Sequence, residues 1–368
     1  MRWQPLLLIA LLLIGCRTAG TDRHQTFKIV GYVRGRADIS AIGAEKLTHI
    51  NYAFAKVNPL GVIDFEDRDA PAHLAQLQAL KARNSQLKLI VSVGGWGADF
   101  FSDAALTDAS RCRFAMSAVE LIKRYALDGI DLDWEYPGQP GPGIGFRAED
   151  KENFTLLLKT VREELDRLGE ARRRRYTLSI ASAGGRYFEH TEMNRLHVYL
   201  DWINVMSYDL SGGWSPGAGH HTPLYRSAFA PPTAVSTESM VQQHLDAGIP
   251  PRKIVVGVAF YGRGWRGVMP ENNGLYQRYD QYESNFPFSV ITHDYLGAPG
   301  YERKWDSVAH APYLWSAEHA RFISYDDPQS LAEKANFVKK LGLGGIMYWE
   351  HSHDPSEVLL NAIYSAFR

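Results

Sequence analysis

Apolar and polar positions alternate or cluster along the chain in eight short runs. They are Lys28 to Val33, Leu47 to Phe54, Lys88 to Val93, Gly129 to Trp134, Thr177 to Ala181, Trp202 to Met206, Ile254 to Ala259 and Gly345 to Tyr348. Each ends in Gly, Ser, Asp or an aromatic residue, the pattern of a buried strand. Between several of them the apolar period lengthens to that of a helix. Ala115, Ala118, Val119, Ile122 and Ala126 share a face within Ser110 to Ala126, and Phe154, Leu157, Leu158, Val161, Leu165 and Leu168 do so in the next segment. Further helices are expected at Ala70 to Ala82, Ser236 to Ala247, Gln329 to Leu341 and Pro355 to Phe367. Eight strands alternating with helices predict an α/β protein built on a closed parallel barrel. A doubly wound open sheet also fits the alternation, but no glycine-rich phosphate fingerprint follows the first strand.

One connection breaks the rhythm. From Gly264 to about Ser324 the chain is rich in aromatic, Gly, Pro and Asn residues and has no helical period, which predicts a small insertion beside the barrel mouth, between strands seven and eight. Barrels of this kind carry their chemistry at the C-terminal ends of the strands. Those ends hold Ser92, Gly94, Gly95 and Trp96; Asp133 and Glu135; Met206, Tyr208 and Asp209; Tyr261 and Arg263; and Trp349 and Glu350.

The fourth strand is the most informative. Asp131, Asp133 and Glu135 alternate with Ile130, Leu132 and Trp134, so the three carboxyls share one strand face. Neighbouring acids in this ladder are roughly 6.6 Å apart, too close for all to ionise freely in a low-dielectric interior. A hard cation is one use for such acids, but they lie on an extended strand rather than a loop wrapped around an ion, so no metal is expected.

Composition adds little and the start of the chain adds more. Forty basic and forty-one acidic residues give a formal charge of -1, which points to no nucleic acid or other polyanionic partner. The basic run Arg172 to Arg175 falls between a helix and a strand and is read as a solvated loop. At the N-terminus Arg2 precedes the unbroken apolar run Leu6 to Ile14, which reads as a signal peptide over residues 1–15. Residues 16–27 are polar and small, as a tether is; the ten from Arg17 to Thr26 reach roughly 35 Å when extended. Removal of the leader leaves Cys16 and Cys112, and Cys112 is expected in a helix core.

These motifs carry a family resemblance. Asp128-Gly129-Ile130-Asp131-Leu132-Asp133-Trp134-Glu135 is similar to the DxxDxDxE signature of family 18 glycoside hydrolases, the chitinases and their relatives. Ser92-Val93-Gly94-Gly95-Trp96, Asn204 to Asp209, Phe260 to Arg263 and Gly344 to Trp349 join it in the right order. The resemblance covers residues 28–368 and implies a (β/α)8 TIM barrel with a small α+β chitinase insertion domain at 264–324. Leu13-Ile14-Gly15-Cys16 likewise resembles a bacterial lipobox, with Cys16 as the lipidated residue.

The resemblance implies a retaining chitinase acting on β-1,4-linked N-acetylglucosamine without a cofactor. Glu135 would be the general acid, and the substrate's own 2-acetamido carbonyl would attack C1 to give an oxazolinium intermediate. Asp133 would hold the acetamido N–H, Asp131 would share a proton with Asp133, and Tyr208 would donate to the acetamido carbonyl. Trp349 would form the floor under the sugar, Asp209 and Arg263 would position it, and Trp96 and Trp214 would be platforms on the leaving-group side. Met206, Tyr261, Gly95, Tyr136, Tyr32 and Phe54 complete the expected substrate-binding set, while Asp128 is expected to be structural. Trp265 and Trp305 fit a core position as well as a sugar platform. An endo-β-N-acetylglucosaminidase acting on N-glycans uses the same acids, and a non-catalytic carbohydrate-binding lipoprotein keeps the barrel without turnover; the final acid Glu135 favours an enzyme. The chain is expected to be a monomer held to a bacterial membrane through Cys16. Arg17 in place of an aspartate after Cys16 points to the outer membrane; without lipidation the protein would be secreted.

Overall fold

The structure is a computed structural model that describes residues 27–368. The expected leader, Cys16 and the expected tether up to Thr26 lie outside the described residues. Eight parallel strands close into a barrel: Lys28–Val33, His49–Val57, Lys88–Gly94, Gly129–Asp133, Thr177–Ser182, Trp202–Val205, Ile254–Ala259 and Gly345–Trp349. The first pairs with both the second and the eighth, so residues 28–349 contain the whole closure. Parallel neighbours need long crossovers, and helices such as Asp108–Tyr125, Asp150–Arg172 and Pro328–Leu341 supply them.

The period-two alternation of the strands sorts side chains into two cores. Ile29, Val33, Leu89, Val91, Ile130 and Leu132 face outward under the helices. Val30, Tyr32, Ile90, Trp202, Val255 and Met347 fill the barrel, with Phe54, Met206, Tyr208 and Trp349 partly buried on top of them. This second cluster is the floor on which the site stands.

Trp134 couples the two layers. It follows Asp133 and precedes Glu135, points away from the barrel axis and is 1% exposed. Its ring stacks on Phe101 at 5.4 Å and meets Phe154 edge-on at 5.3 Å. The helices therefore clamp the backbone between the two acids. Trp134→Ala is expected to cost about 3–5 kcal/mol of stability and to lower activity together with the melting temperature; thermal unfolding beside a rate assay checks it, and a variant as stable as the parent would remove the clamp.

Two local expectations are corrected. Cys112 is exposed rather than buried. The buried face of the helix Asp108–Tyr125 runs through Arg111, Phe114, Ala115, Ala118, Leu121 and Ile122. Arg111 takes the inward place because its guanidinium donates to the Ala105 carbonyl at 2.5 Å and is tied to Asp108. The basic run is not simply solvated either: Arg174 is paired with Asp128, and Arg175 donates to Asp201 at 2.8 Å.

The chain between the seventh and eighth strands folds into a five-stranded antiparallel sheet of Tyr261–Arg266, Gln281–Pro287, Glu302–Asp306, Ala311–Ser316 and Arg321–Ser324. The sheet begins at Tyr261, ahead of Gly264. Trp265, Leu275, Tyr313, Trp315 and Phe322 form its own core. Trp265 is therefore a core residue. Trp305 lies on the edge strand under the Arg303 guanidinium, 5.6 Å from its ring centroid.

Candidate active site

Asp131 sits at the bottom of the site, fully buried in the barrel. The strands on either side place Ser92 and Ser179 level with it. Its Oδ2 accepts from the Tyr32 hydroxyl and Ser92 Oγ, both at 2.8 Å; its Oδ1 accepts from Ser179 Oγ at 2.6 Å and Asn204 Nδ2 at 3.2 Å. Burial pushes its pKa up against these four donors.

Asp133, one step up the strand, faces Glu135. Burial, then the charges of Glu135 and Asp131, holds its pKa well above the usual carboxylate range. Glu135 stands just past the end of the strand and is raised to about 7, first by burial and then by the charge of Asp209, against hydrogen bonds from Tyr136 and Asp133. Asp133 and Glu135 thus act on each other's titration, and Asp133 Oδ1 has no hydrogen-bond partner among the described residues. The oxygens of Asp131 are occupied by the donors of Tyr32, Ser92, Ser179 and Asn204.

A second acidic centre lies across the cleft. Asp209 has a left-handed backbone, φ 57°, which turns its carboxylate toward the inserted sheet. Its Oδ1 accepts from Tyr261 Oη at 2.7 Å and Arg263 Nε at 2.5 Å, with His221 Nδ1 at 3.7 Å. Burial opposes its charge, but His221 and Arg263 hold it well below the usual range. The guanidinium of Arg263 also donates to the Tyr282 hydroxyl. The environment pushes Asp209 toward its ionised form and Glu135 toward its protonated form, a division of labour set by burial and neighbours.

Aromatic residues shape the walls. Trp349 is half-buried, packed against Phe54 at 5.4 Å and Tyr32 at 5.7 Å. Tyr208 meets Tyr261 edge-on, and its hydroxyl finds only the weak acceptor Met347 Sδ at 3.9 Å among the described residues. Trp96 and Trp214 are 65% and 66% exposed, so their faces are open to a ligand. Trp96 leans on Tyr136, while Trp214 leans on Tyr282 and the Arg263 guanidinium. Gly95 has φ 86°, and a Cβ there would lie 2.6 Å from the Phe54 ring. The cis peptides Ala53–Phe54, Glu135–Tyr136 and Trp349–Glu350 all stand at this end of the barrel.

The structure thus brings Glu135, Asp133, Asp131, Tyr208, Asp209, Tyr261, Arg263, Met206, Trp349, Tyr32, Phe54, Gly95 and Tyr136 to one cleft, with Trp96 and Trp214 on its rim. Sequence reasoning missed Ser179, Lys56, His221 and Tyr282. Ser179 was legible as a polar residue at an inward position of an apolar strand. Lys56 donates to the Gly94 carbonyl at 2.7 Å and acts on the charges of Asp133 and Glu135. Glu350, by contrast, turns away from the cleft into a cluster with Arg36, Ser352 and His353. Asp128 sits at the strand's entry, held by Lys81, Arg174 and the Leu89 N–H. Among the described residues no group of three or more His, Cys, Asp or Glu side chains is arranged to hold a metal ion.

A barrel with paired acids at the C-terminal end of one strand, walled by aromatics, defines a glycoside-hydrolase type of site. The profile of "Glycosyl hydrolases family 18" matches residues 28–354, and the chain belongs to that family. It is 37% identical to chitinase A1 of Niallia circulans over 94% of this chain and 59% of that protein. It is 31% identical to chitinase B of Serratia marcescens over 86% of this chain and 75% of that protein. The chain thus spans under two thirds of the first relative and three quarters of the second. Among solved structures, a family 18 N-acetylglucosaminidase from Paenibacillus barengoltzii superposes with a TM-score of 0.86 at 41% identity, covering 93% of this chain and 100% of that one. A chitinase from Bacillus thuringiensis gives 0.86 at 33% identity, over 93% and 70%.

Proposed function

We propose that the chain is a chitinase that hydrolyses β-1,4-linked N-acetylglucosamine with net retention, using Glu135 as its one proton donor. The observation that carries this reading is the pairing of Asp133 with Glu135 beneath an aromatic floor, with Asp131 capped by four donors. The acetamido carbonyl oxygen forms a bond to C1 as the glycosidic C1–O bond breaks. The departing oxygen keeps the electron pair and takes the Glu135 proton, leaving an oxazolinium ring. Asp133 accepts from the acetamido N–H and balances the positive charge. Tyr208, whose hydroxyl lacks a strong acceptor, donates to the acetamido oxygen. Glu135, now a base, takes a proton from the water that opens the ring. Trp349 lies under the apolar sugar face, Asp209 and Arg263 fix the ring, and Trp96 and Trp214 carry the sugars beyond. The inserted sheet is the insertion domain of this family and raises the wall that holds Arg263 and Tyr282.

A second reading, release of single N-acetylglucosamine units, is favoured by the likeness to the Paenibacillus enzyme over the whole length of that chain. Products from a chitin hexamer decide: a ladder of oligomers supports chitinase action, monomer from the first turnover supports the alternative, and no cleavage overturns both. We further propose that Cys16 carries a lipid anchor, supported by Leu13-Ile14-Gly15-Cys16. Labelled palmitate is expected to enter the wild type and not Cys16→Ser; equal labelling would dismiss the anchor.

A further inference from the structure

The end of the barrel opposite Glu135 carries a cleft of about 450 Å³ lined chiefly by Lys28, Arg175, Leu200, Asp201, Arg252 and Lys253. These residues stand at the entrances of the first, seventh, sixth and fifth strands, which lie side by side in the barrel with the eighth. Asp201 is the one acid in the lining, and its oxygens are already used. Oδ1 accepts from Arg175 Nε at 2.8 Å; Oδ2 accepts from the Leu178 N–H at 2.9 Å and Arg162 Nη1 at 3.3 Å.

The other cations make no ion pair among the described residues, and Lys28 and Lys253 share the charge of this one Asp201 at longer range. Lys28 Nζ lies 5.4 Å over the Trp202 ring and makes no ion pair among the described residues. Lys253 Nζ donates to the His197 carbonyl at 2.7 Å, and Arg252 makes no ion pair either. Burial lowers the pKa of both lysines, so their charged forms are held at a cost that a bound anion would offset. A chain with formal charge -1 has gathered unpaired positive charge at one end.

We propose that this basal cleft binds phosphate, and that the phosphate belongs to an anionic lipid head group. The Arg252 guanidinium and two ammonium groups, beside an Arg175 already paired with Asp201, suit a tetrahedral oxyanion. The lipid source follows from where the chain enters the barrel. Phe27 stacks on Phe367 at 4.7 Å immediately before Lys28, so the described chain enters the barrel at its basal end. Cys16 stands at the start of the segment before it, and residues 16–27 reach at most about 40 Å. A lipid on Cys16, on the anchor reading proposed above, would keep the base toward the lipid and the cleft of Glu135 toward the polymer.

Residues 27–368, which contain the complete barrel, are the material for the test. Co-sedimentation with vesicles of equal parts phosphatidylglycerol and phosphatidylcholine is expected to capture the protein, and pure phosphatidylcholine is not. Inorganic phosphate and added salt should compete. The triple variant Lys28→Glu, Arg252→Glu, Lys253→Glu should lose at least about tenfold in binding while cleaving chitin oligomers at the parent rate. Arg252→Ala alone, at an exposed position, should weaken binding about fivefold even if the triple variant fails to fold. Vesicle binding unchanged in Arg252→Ala and in a folded triple variant would overturn the proposal. Phosphate bound at the cleft with no vesicle capture would overturn its lipid source.

Discussion

Glu135→Gln is expected to lower kcat by about 10²–10⁴-fold while oligomer binding stays within a few-fold of the parent. The amide keeps the shape of the side chain and removes the proton that the leaving oxygen needs. The same proton sets the pH profile. Glu135 is raised to about 7, chiefly by burial, so its acidic form is abundant below neutrality and falls as pH rises through that value. The basic limb of kcat/KM should therefore lie near 7, far above an ordinary glutamate, and activity should fall above it. Kinetics from pH 5 to 9 with a binding titration on the variant check both statements. A Glu135→Gln protein turning over at near the parent rate would remove Glu135 from the role of acid.

Asp133→Asn is expected to cost about 100-fold in kcat while leaving the protein as stable as the parent or more so. The activity falls because an amide cannot balance the charge of the oxazolinium. Stability moves the other way. The folded-state pKa of Asp133 is raised above its unfolded value by burial and by the charges of Glu135 and Asp131, so the ionised form is what the fold disfavours. That penalty is absent at low pH, where the group is protonated in both states, and grows as pH rises above the unfolded value. The gain in melting temperature should therefore appear near neutrality and vanish toward pH 4. Loss of activity with equal loss of stability at neutral pH would show instead that Asp133 is a structural residue.

Much of this site was legible because strand periodicity fixes which side chains share a face. Asp131, Asp133 and the outward Trp134 follow from alternation alone, and the strand-end positions of Tyr208, Asp209 and Trp349 follow from the barrel rule. What was not legible is partnership across the barrel. Pattern alone does not show that the oxygens of Asp131 are filled by Tyr32, Ser92, Ser179 and Asn204, which come from four other strands. His221 reaches Asp209 from an irregular connection, and Tyr282 reaches Arg263 from the strand Gln281–Pro287 of the inserted sheet, a segment with no clear period in the sequence. Cys112 was misplaced for a local reason: the alkyl stem of an arginine can be buried when its head finds carbonyl and carboxylate acceptors, and Arg111 took the inward position.

On the proposed mechanism the substrate, not a carboxylate of the chain, attacks C1. The most direct test compares the cleavage rate of an aryl chitobioside with that of the same compound carrying a trifluoroacetamido group on the sugar at the cleavage point. Fluorine withdraws electron density from the carbonyl oxygen, so the account predicts a fall in kcat of orders of magnitude with little change in binding. An unchanged kcat would mean that Asp133 or a water does the attacking, and would contradict the mechanism built here on Glu135 and Asp133.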